Sequence, residues 1–230
     1  MKIVERNIVL TMISLMAFVM ASCVRPSVET LHVPSPQLSA IDSLMWSQPD
    51  SAFSLLLAFA ESPEADSLDE FNDHFFQLQV SELLYKNYYE QTNRHDLLKA
   101  VDYFDNLDNA FLDARAHYIN GVGFYEKDSV VEACGQYITA LEIMEEHYDE
   151  KELVGHKAQF MALVYAHLCE LFSDQYLHEQ AIYFGKQSIT RYKKFAADSW
   201  HTPRLYSEIG SQYLMMVHPK PCFLVMYFIE

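Results

Sequence analysis

Residues 114–141 read ARAHYINGVGFYEKDSVVEACGQYITAL. Apolar side chains recur there at spacings of three and four residues, which predicts two helices that fold back on each other. Gly121 and Ala133 are small enough to let these helices approach closely, while Phe124 and Tyr137 can fill the space beside that contact. The stretch therefore predicts a tightly packed helical hairpin, and a larger side chain at Gly121 should force its helices apart.

The same spacing of apolar residues extends over residues 38–216, broken by short clusters rich in Pro, Asp, Asn and Ser. Six glycines and eight prolines in 230 residues leave few positions for tight turns or phosphate-binding loops. We therefore predict an all-α fold built from antiparallel helix pairs. The predicted helices cover 38–48 and 49–61, 68–90 and 95–106, 109–127 and 129–148, 151–175 and 177–195, and a fifth pair opens at residue 203.

The small and aromatic residues of 114–141 resemble those of the tetratricopeptide repeat, a helical hairpin of about 34 residues. Gly121, Phe124, Ala133, Tyr137 and Ala140 occupy the positions that carry the packing of that repeat. The resemblance implies a right-handed superhelical array of antiparallel helix pairs, an α-solenoid, over residues 38–216. It also implies a protein that binds other proteins or peptides.

The resemblance continues more weakly towards the C-terminus. Cys169, Ala181 and Gly210 occupy small-residue positions of the repeat, whereas Gly185 stands where an aromatic residue is expected. Gly121, Cys169 and Gly210 are 48 and 41 residues apart, so longer helices or loops are expected than in a regular array. The chain is similar to tetratricopeptide-repeat lipoproteins of the Bacteroidota, and to the repeat region of membrane-bound regulators of that group.

The N-terminus has the pattern of an export signal. Lys2 and Arg6 precede an apolar stretch over 8–20, which is too short to span a bilayer as a permanent helix. Small residues before Cys23 resemble a lipoprotein cleavage site, which implies that 1–22 is a signal peptide and that Cys23 carries the lipid, palmitate included. An ordinary secretory leader, with Cys23 incidental, is the alternative.

Residues 23–37 contain three prolines and no helical period, which predicts a flexible tether. The lipoproteins that reach the cell surface often carry an acidic cluster just after the cysteine, and this chain has none there. The resemblance therefore implies an outer-membrane lipoprotein that faces the periplasm.

Reactive chemistry is nearly absent from the sequence. The ten histidines include no pair spaced by four residues and no zinc-protease motif, so no metal site is expected. An acidic stretch resembles a calcium loop in composition only, because it lacks the required glycine and terminal glutamate: Asp102, Asp105, Asn106, Asp108, Asn109 and Asp113. No cofactor is expected, and the protein is predicted not to be an enzyme. A formal net charge of −16 disfavours binding to nucleic acid.

The resemblance assigns a ligand groove to the first helix of each pair. The groove residues transferred from the repeat to the third pair, with neighbours on the second and fourth, are Arg115, Tyr118, Val122, Tyr125, Glu126, Tyr85, Lys86 and Glu170. Aromatic rings give rigid contact area, and an arginine there could pair with a peptide carboxylate. The alternative is that these tyrosines pack between neighbouring repeats.

Two functions remain open. The first is a lipid-anchored scaffold that binds a protein or peptide of unknown identity near the outer membrane, with the membrane contacted through the lipid alone. The second is a sensory fragment of a membrane-bound transcriptional or signalling regulator with the same repeats. A glycan-capture lipoprotein would need a much longer chain.

Residues 217–230 depart from the repeat pattern. Two prolines are followed by eight apolar residues without a polar face, where an amphipathic second helix is expected. Our hypothesis is that the reading frame is shifted or truncated near Met216, and the alternative is a short terminal strand or helix packed on the last pair. Translating the gene past that codon in the other two frames should reveal a further repeat helix, and the hypothesis fails if neither frame contains one.

Overall fold

The computed structural model describes residues 32–92, 94–195 and 201–217, and the regular elements in these ranges are all helical. The chain divides into an N-terminal unit over 1–33, of which only 32 and 33 are described, and a second unit from Pro34 onward that contains the helices. The predicted signal peptide, Cys23, most of the tether and the apolar tail from 218 lie outside the described residues. The helices are α1 (Pro36–Met45), α2 (Pro49–Ala60), α3 (Glu70–Lys86), α4 (Arg94–Phe104), α5 (Ala110–Tyr125), α6 (Val130–His147), α7 (Gly155–Asp174), α8 (His178–Phe195) and α9 (His201–Val217).

The all-α prediction is confirmed. A short 3₁₀ turn at Ala65–Ser67 lies between the first two pairs, and the last helix begins at His201, two residues before the predicted start. Proline occupies the first position of both α1 and α2, where its missing N–H costs no helical hydrogen bond. No helix of the described part of the chain is both long and apolar enough to cross a membrane.

Helix contacts follow a regular order along the chain. Each helix packs against the next one, and α1 also contacts α3, α3 contacts α5, and α5 contacts α7. Between α7 and α9, the Ser173 hydroxyl donates a hydrogen bond of 2.7 Å to Glu208 Oε1. The odd-numbered helices α1, α3, α5, α7 and α9 are therefore joined in a continuous row.

The turns that follow α3, α5 and α7 have the same construction. Tyr88, Asp128 and Tyr176 adopt the left-handed backbone conformation, with φ of 62°, 57° and 58°. The next amide in each turn donates to the carbonyl five residues back: Tyr89 to Leu84, Ser129 to Phe124 and Leu177 to Phe172. This is the hydrogen bond of a Schellman motif, which ends a helix and reverses the chain. Three successive hairpins thus use one type of turn.

Gly121 lies at a close contact between α5 and α6. A Cβ built there would be 2.7 Å from Tyr137 Cε1, and the Tyr137 ring is fully buried. The small residues Ala133 and Ala140 of α6 are also fully buried. Phe124 is half-buried, and the Arg94 guanidinium lies 4.4 Å from its ring centroid. The hairpin of 114–141 therefore has the close approach that its sequence predicts.

In the α7–α8 hairpin, two of the predicted packing residues are buried between helices. Cys169 and Ala181 are fully buried between α7, α8 and α9. Gly185 has no room for an aromatic ring, because a Cβ there would be 2.9 Å from Ile209 and 3.0 Å from Cys169 Sγ. Gly210, in contrast, is exposed, and a Cβ there would meet nothing within 4 Å. The second helix of the fifth pair, on which Gly210 is predicted to pack, would follow residue 217 and lies outside the described residues, so the packing role of Gly210 stays a prediction.

We expect Gly121→Ala to lower the free energy of unfolding by about 1–3 kcal/mol, because the new methyl group overlaps a buried ring that cannot move away. Gly135→Ala is the matched control on α6. Its glycine is exposed with open space around it, so alanine should raise stability by roughly 0.5–1 kcal/mol through better helix propensity. Urea unfolding followed by circular dichroism measures both. Equal effects of the two changes would contradict the close approach at Gly121.

Candidate functional site

Arg115 of α5 is buried, with 1% of its surface exposed. Its Nε and one terminal nitrogen donate to the two oxygens of Glu82, on α3, at 2.9 and 2.6 Å. The same terminal nitrogen donates to Asp42 Oδ1, on α1, at 2.7 Å. One guanidinium thus connects three odd-numbered helices through charge-assisted hydrogen bonds.

Aromatic rings surround this guanidinium. Its central carbon lies 5.5 Å from the Trp46 ring centroid, 5.4 Å from that of Phe111 and 5.9 Å from that of Phe75. Burial alone would lower the pKa of Arg115, but the carboxylates of Asp42 and Glu82 outweigh it and raise that pKa above its ordinary value. The arginine is a structural cation inside the helix row.

The predicted role of Arg115 in a ligand groove is therefore wrong. Its side chain is enclosed, and its hydrogen bonds are used by two acidic residues of the same chain. Tyr118 and Val122 are likewise buried, with 3% and 2% of their surfaces exposed. These positions of α5 belong to the core because α3 and α7 both pack against α5. Only in a hairpin without such neighbours would the same positions be open to a ligand.

Lys86 of α3 lies beside the same group. Its Nζ is 4.9 Å from the Trp46 ring centroid. Burial lowers the pKa of Lys86, Glu82 and Asp42 act in the opposite direction, and Arg115 lowers that pKa further. Two cations and two carboxylates thus share one partly enclosed region around Trp46.

The helix row contains a second polar cluster around His167 of α7, which we call the tyrosine–histidine cluster. The hydroxyl of Tyr85 is 2.8 Å and that of Tyr118 is 3.4 Å from His167 Nε2, and the Tyr137 hydroxyl is 3.3 Å from Nδ1. All three tyrosine rings meet the imidazole edge-on, with centroids 5.4–5.6 Å apart. The cluster joins side chains from α3, α5, α6 and α7.

Burial raises the pKa of each tyrosine in this cluster. The phenols therefore keep their protons at neutral pH and act as hydrogen-bonding groups. Burial also raises the pKa of the Cys169 thiol to about 12. That cysteine is protonated at physiological pH, which suits packing and disfavours nucleophilic attack.

Three carboxylates lie near the cluster, one directly after the end of α5 and two on α7, and we call them the acidic rim: Glu126, Glu170 and Asp174. Glu126 and Asp174 are exposed, and 44% of the Glu170 side chain is exposed. The Tyr125 hydroxyl donates a hydrogen bond to Asp174 Oδ2, which links α5 to α7. Burial and then the charge of Glu170 raise the pKa of Tyr85, so the rim lies within electrostatic range of the cluster.

The rim carboxylates have little compensating charge among the described residues near them. Burial, followed by the charges of Asp174 and Glu208, raises the pKa of Glu170, and only Arg204 acts in the opposite direction. Burial and then Glu90 raise the pKa of Glu126, and Lys127 acts in the opposite direction. Arg204 contacts Glu170 at 3.3 Å, and both side chains are largely exposed. Exposed pairs of this kind contribute about 0–1 kcal/mol.

The structure thus brings together some of the predicted groove residues and separates others. Tyr85, Tyr125, Glu126 and Glu170 lie around the cluster and the rim, whereas Lys86 lies beside Trp46. Sequence reasoning missed His167, Asp174 and Arg204. His167 lies three residues before Glu170 and Asp174 lies four residues after it on the same helix. That spacing indicates that the three side chains share one face of the helix.

Arg115→Met should lower the free energy of unfolding by about 3–5 kcal/mol, because it leaves the buried Glu82 carboxylate without a partner. The double change Arg115→Met, Glu82→Leu should recover part of that loss, because no orphaned charge then remains at position 82. Arg204→Met is the control at an exposed arginine and should cost less than about 1 kcal/mol. Urea unfolding measures all three, and an Arg115→Met effect equal to the control would contradict the buried ion pair.

In comparisons with known proteins, no protein-family model, curated protein or solved structure matches this chain.

Proposed function

We propose that the protein is a non-enzymatic scaffold that binds a protein or peptide on the face formed by α3, α5, α7 and α9. In this proposal the hairpins stack as a right-handed array of the tetratricopeptide type. The lipid on Cys23 and the tether hold that array at the periplasmic face of the outer membrane.

Three features support the array. Each helix packs on the next and also, along the odd-numbered row, on the helix after that. One turn type recurs after α3, α5 and α7. The close approach at Gly121 is of the kind that repeated helical hairpins use.

The acidic rim is the observation that carries the ligand proposal. Glu126, Glu170 and Asp174 are accessible, and burial together with neighbouring carboxylates raises the pKa of Glu126 and Glu170. A positive ligand group would relieve that repulsion, since opposite charges attract most strongly where solvent is partly excluded. The half-buried Tyr125 ring beside the rim offers apolar contact to the same ligand. We therefore expect a basic, extended segment with lysine or arginine side chains.

A basic ligand is the opposite of the one that the sequence suggested, which was a peptide carboxylate paired with Arg115. Arg115 is enclosed, so it does not recruit a peptide carboxylate. Arg204, an exposed cation at the rim, makes only a weak contact with Glu170, and a ligand cation can replace it at small cost.

Fluorescence polarisation with two labelled peptides of equal length tests the proposal. One peptide alternates lysine with aromatic residues, and the other alternates glutamate with the same aromatic residues. The lysine peptide should bind about tenfold more tightly, and its affinity should fall as salt rises. The double change Glu126→Gln, Glu170→Gln should weaken that binding by about threefold to tenfold.

The matched control is Glu142→Gln, Glu179→Gln, which removes the same charge from exposed positions on α6 and α8. It should leave the affinity nearly unchanged. An equal loss in both double variants would mean that the peptide responds only to net charge, and a preference for the glutamate peptide would overturn the proposal directly.

A further inference from the structure

A separate group of metal-ligating side chains lies where α4 ends and α5 begins. Asp105 follows the last residue of α4, and Asp113 and His117 lie one turn apart on α5. One ligand atom from each of the three residues lies within 4.8 Å of the other two. In the sequence, the two aspartates belong to the stretch of calcium-loop composition, and His117 lies outside it.

The distances within this group suit a small divalent ion. His117 Nε2 is 2.8 Å from Asp105 Oδ1 and 3.5 Å from Asp113 Oδ1. Ligands about 2.0–2.2 Å from a tetrahedral ion are separated by roughly 3.3 Å, which lies between these two values. The third separation, between the ligand oxygens of Asp105 and Asp113, is at most 4.8 Å.

The other ring nitrogen of His117 is already engaged. His117 Nδ1 lies 2.9 Å from Gln136 Oε1, and that oxygen also accepts a hydrogen bond of 3.0 Å from Asn120 Nδ2. When Nδ1 carries the ring proton and donates it to Gln136 Oε1, the lone pair of Nε2 faces the two aspartates. Zinc would then displace any proton that Nε2 shares with Asp105 Oδ1 across their 2.8 Å contact. Ligating histidines are oriented by such a partner on the second nitrogen.

The negative charge of the aspartates is incompletely matched. Asp113 Oδ1 is buried and has no hydrogen-bond partner. Asp105 is exposed over 45% of its side chain, so an ion and its remaining water ligands can enter from that side.

We propose that Asp105, Asp113 and His117 form a binding site for one Zn²⁺ ion, with solvent completing its coordination. One imidazole nitrogen and two carboxylate oxygens are ligands of the type that zinc accepts. Ca²⁺ and Mg²⁺ prefer sites made wholly of oxygen ligands and should bind here much more weakly. The site would join the α4–α5 connection to the start of α5.

Isothermal titration of the full chain, stripped of metal with a chelator and then dialysed, tests this site. Zn²⁺ should bind with one site whose affinity falls at least tenfold in Asp105→Asn and in His117→Gln. Ca²⁺ should give no comparable binding. Co²⁺ should produce visible d–d absorption in the unchanged protein, and this signal should disappear in both variants.

Two controls separate this site from nonspecific binding to surface side chains. Asp102→Asn and His95→Gln change exposed residues of α4 outside the group, and both should leave zinc affinity unchanged. Circular dichroism verifies that each variant is folded. Asp105→Asn is the decisive variant, because its exposed carboxylate contributes least to packing. Zinc affinity that is equal in the unchanged protein and in Asp105→Asn would overturn the proposal, as would an equal loss in His95→Gln.

Discussion

The packing of the first three hairpins depends on the Arg115 guanidinium. Its hydrogen bonds to Glu82 and Asp42 join α5 to α3 and α1, across 33 and 73 residues of chain. A buried ion pair contributes little net stability when its desolvation is counted, but loss of one partner is costly. The arrangement therefore disfavours other packings of these helices, because a shift of α5 against α3 would leave charges buried and unpaired.

Much of the fold was predictable because its signals are local. Gly121, Ala133 and Tyr137 are close in sequence and meet within one hairpin. The role of Arg115 was not predictable from spacing, because nothing in the sequence pairs it with Glu82 rather than with a ligand. The same limit applies to His117: Asp113 is one helical turn away, but Asp105 joins them only through the connection between α4 and α5. The roles of Arg115 and His117 therefore depend on contacts between helices that are distant in sequence.

The polar groups of the helix row differ in how far solvent reaches them. Around Trp46, cations and carboxylates are partly enclosed and serve packing. Around His167, protonated phenols form a hydrogen-bonded layer between four helices. At the rim, carboxylates such as Glu126 reach the surface. Along one face of the row, the charged groups thus differ in exposure. Only the exposed groups can contact a partner.

The shared turn after α3, α5 and α7 has an electrostatic consequence. Tyr125 and Asp174 meet at the ends of α5 and α7, and Tyr85, near the end of α3, reaches His167 in the same half of α7. The carbonyl termini of α5 and α7 therefore meet, and that of α3 lies on the same side of the row. Aligned peptide dipoles place about half a negative charge at each such terminus. The backbone itself makes this side attractive to cations, independently of any side chain that a substitution could remove.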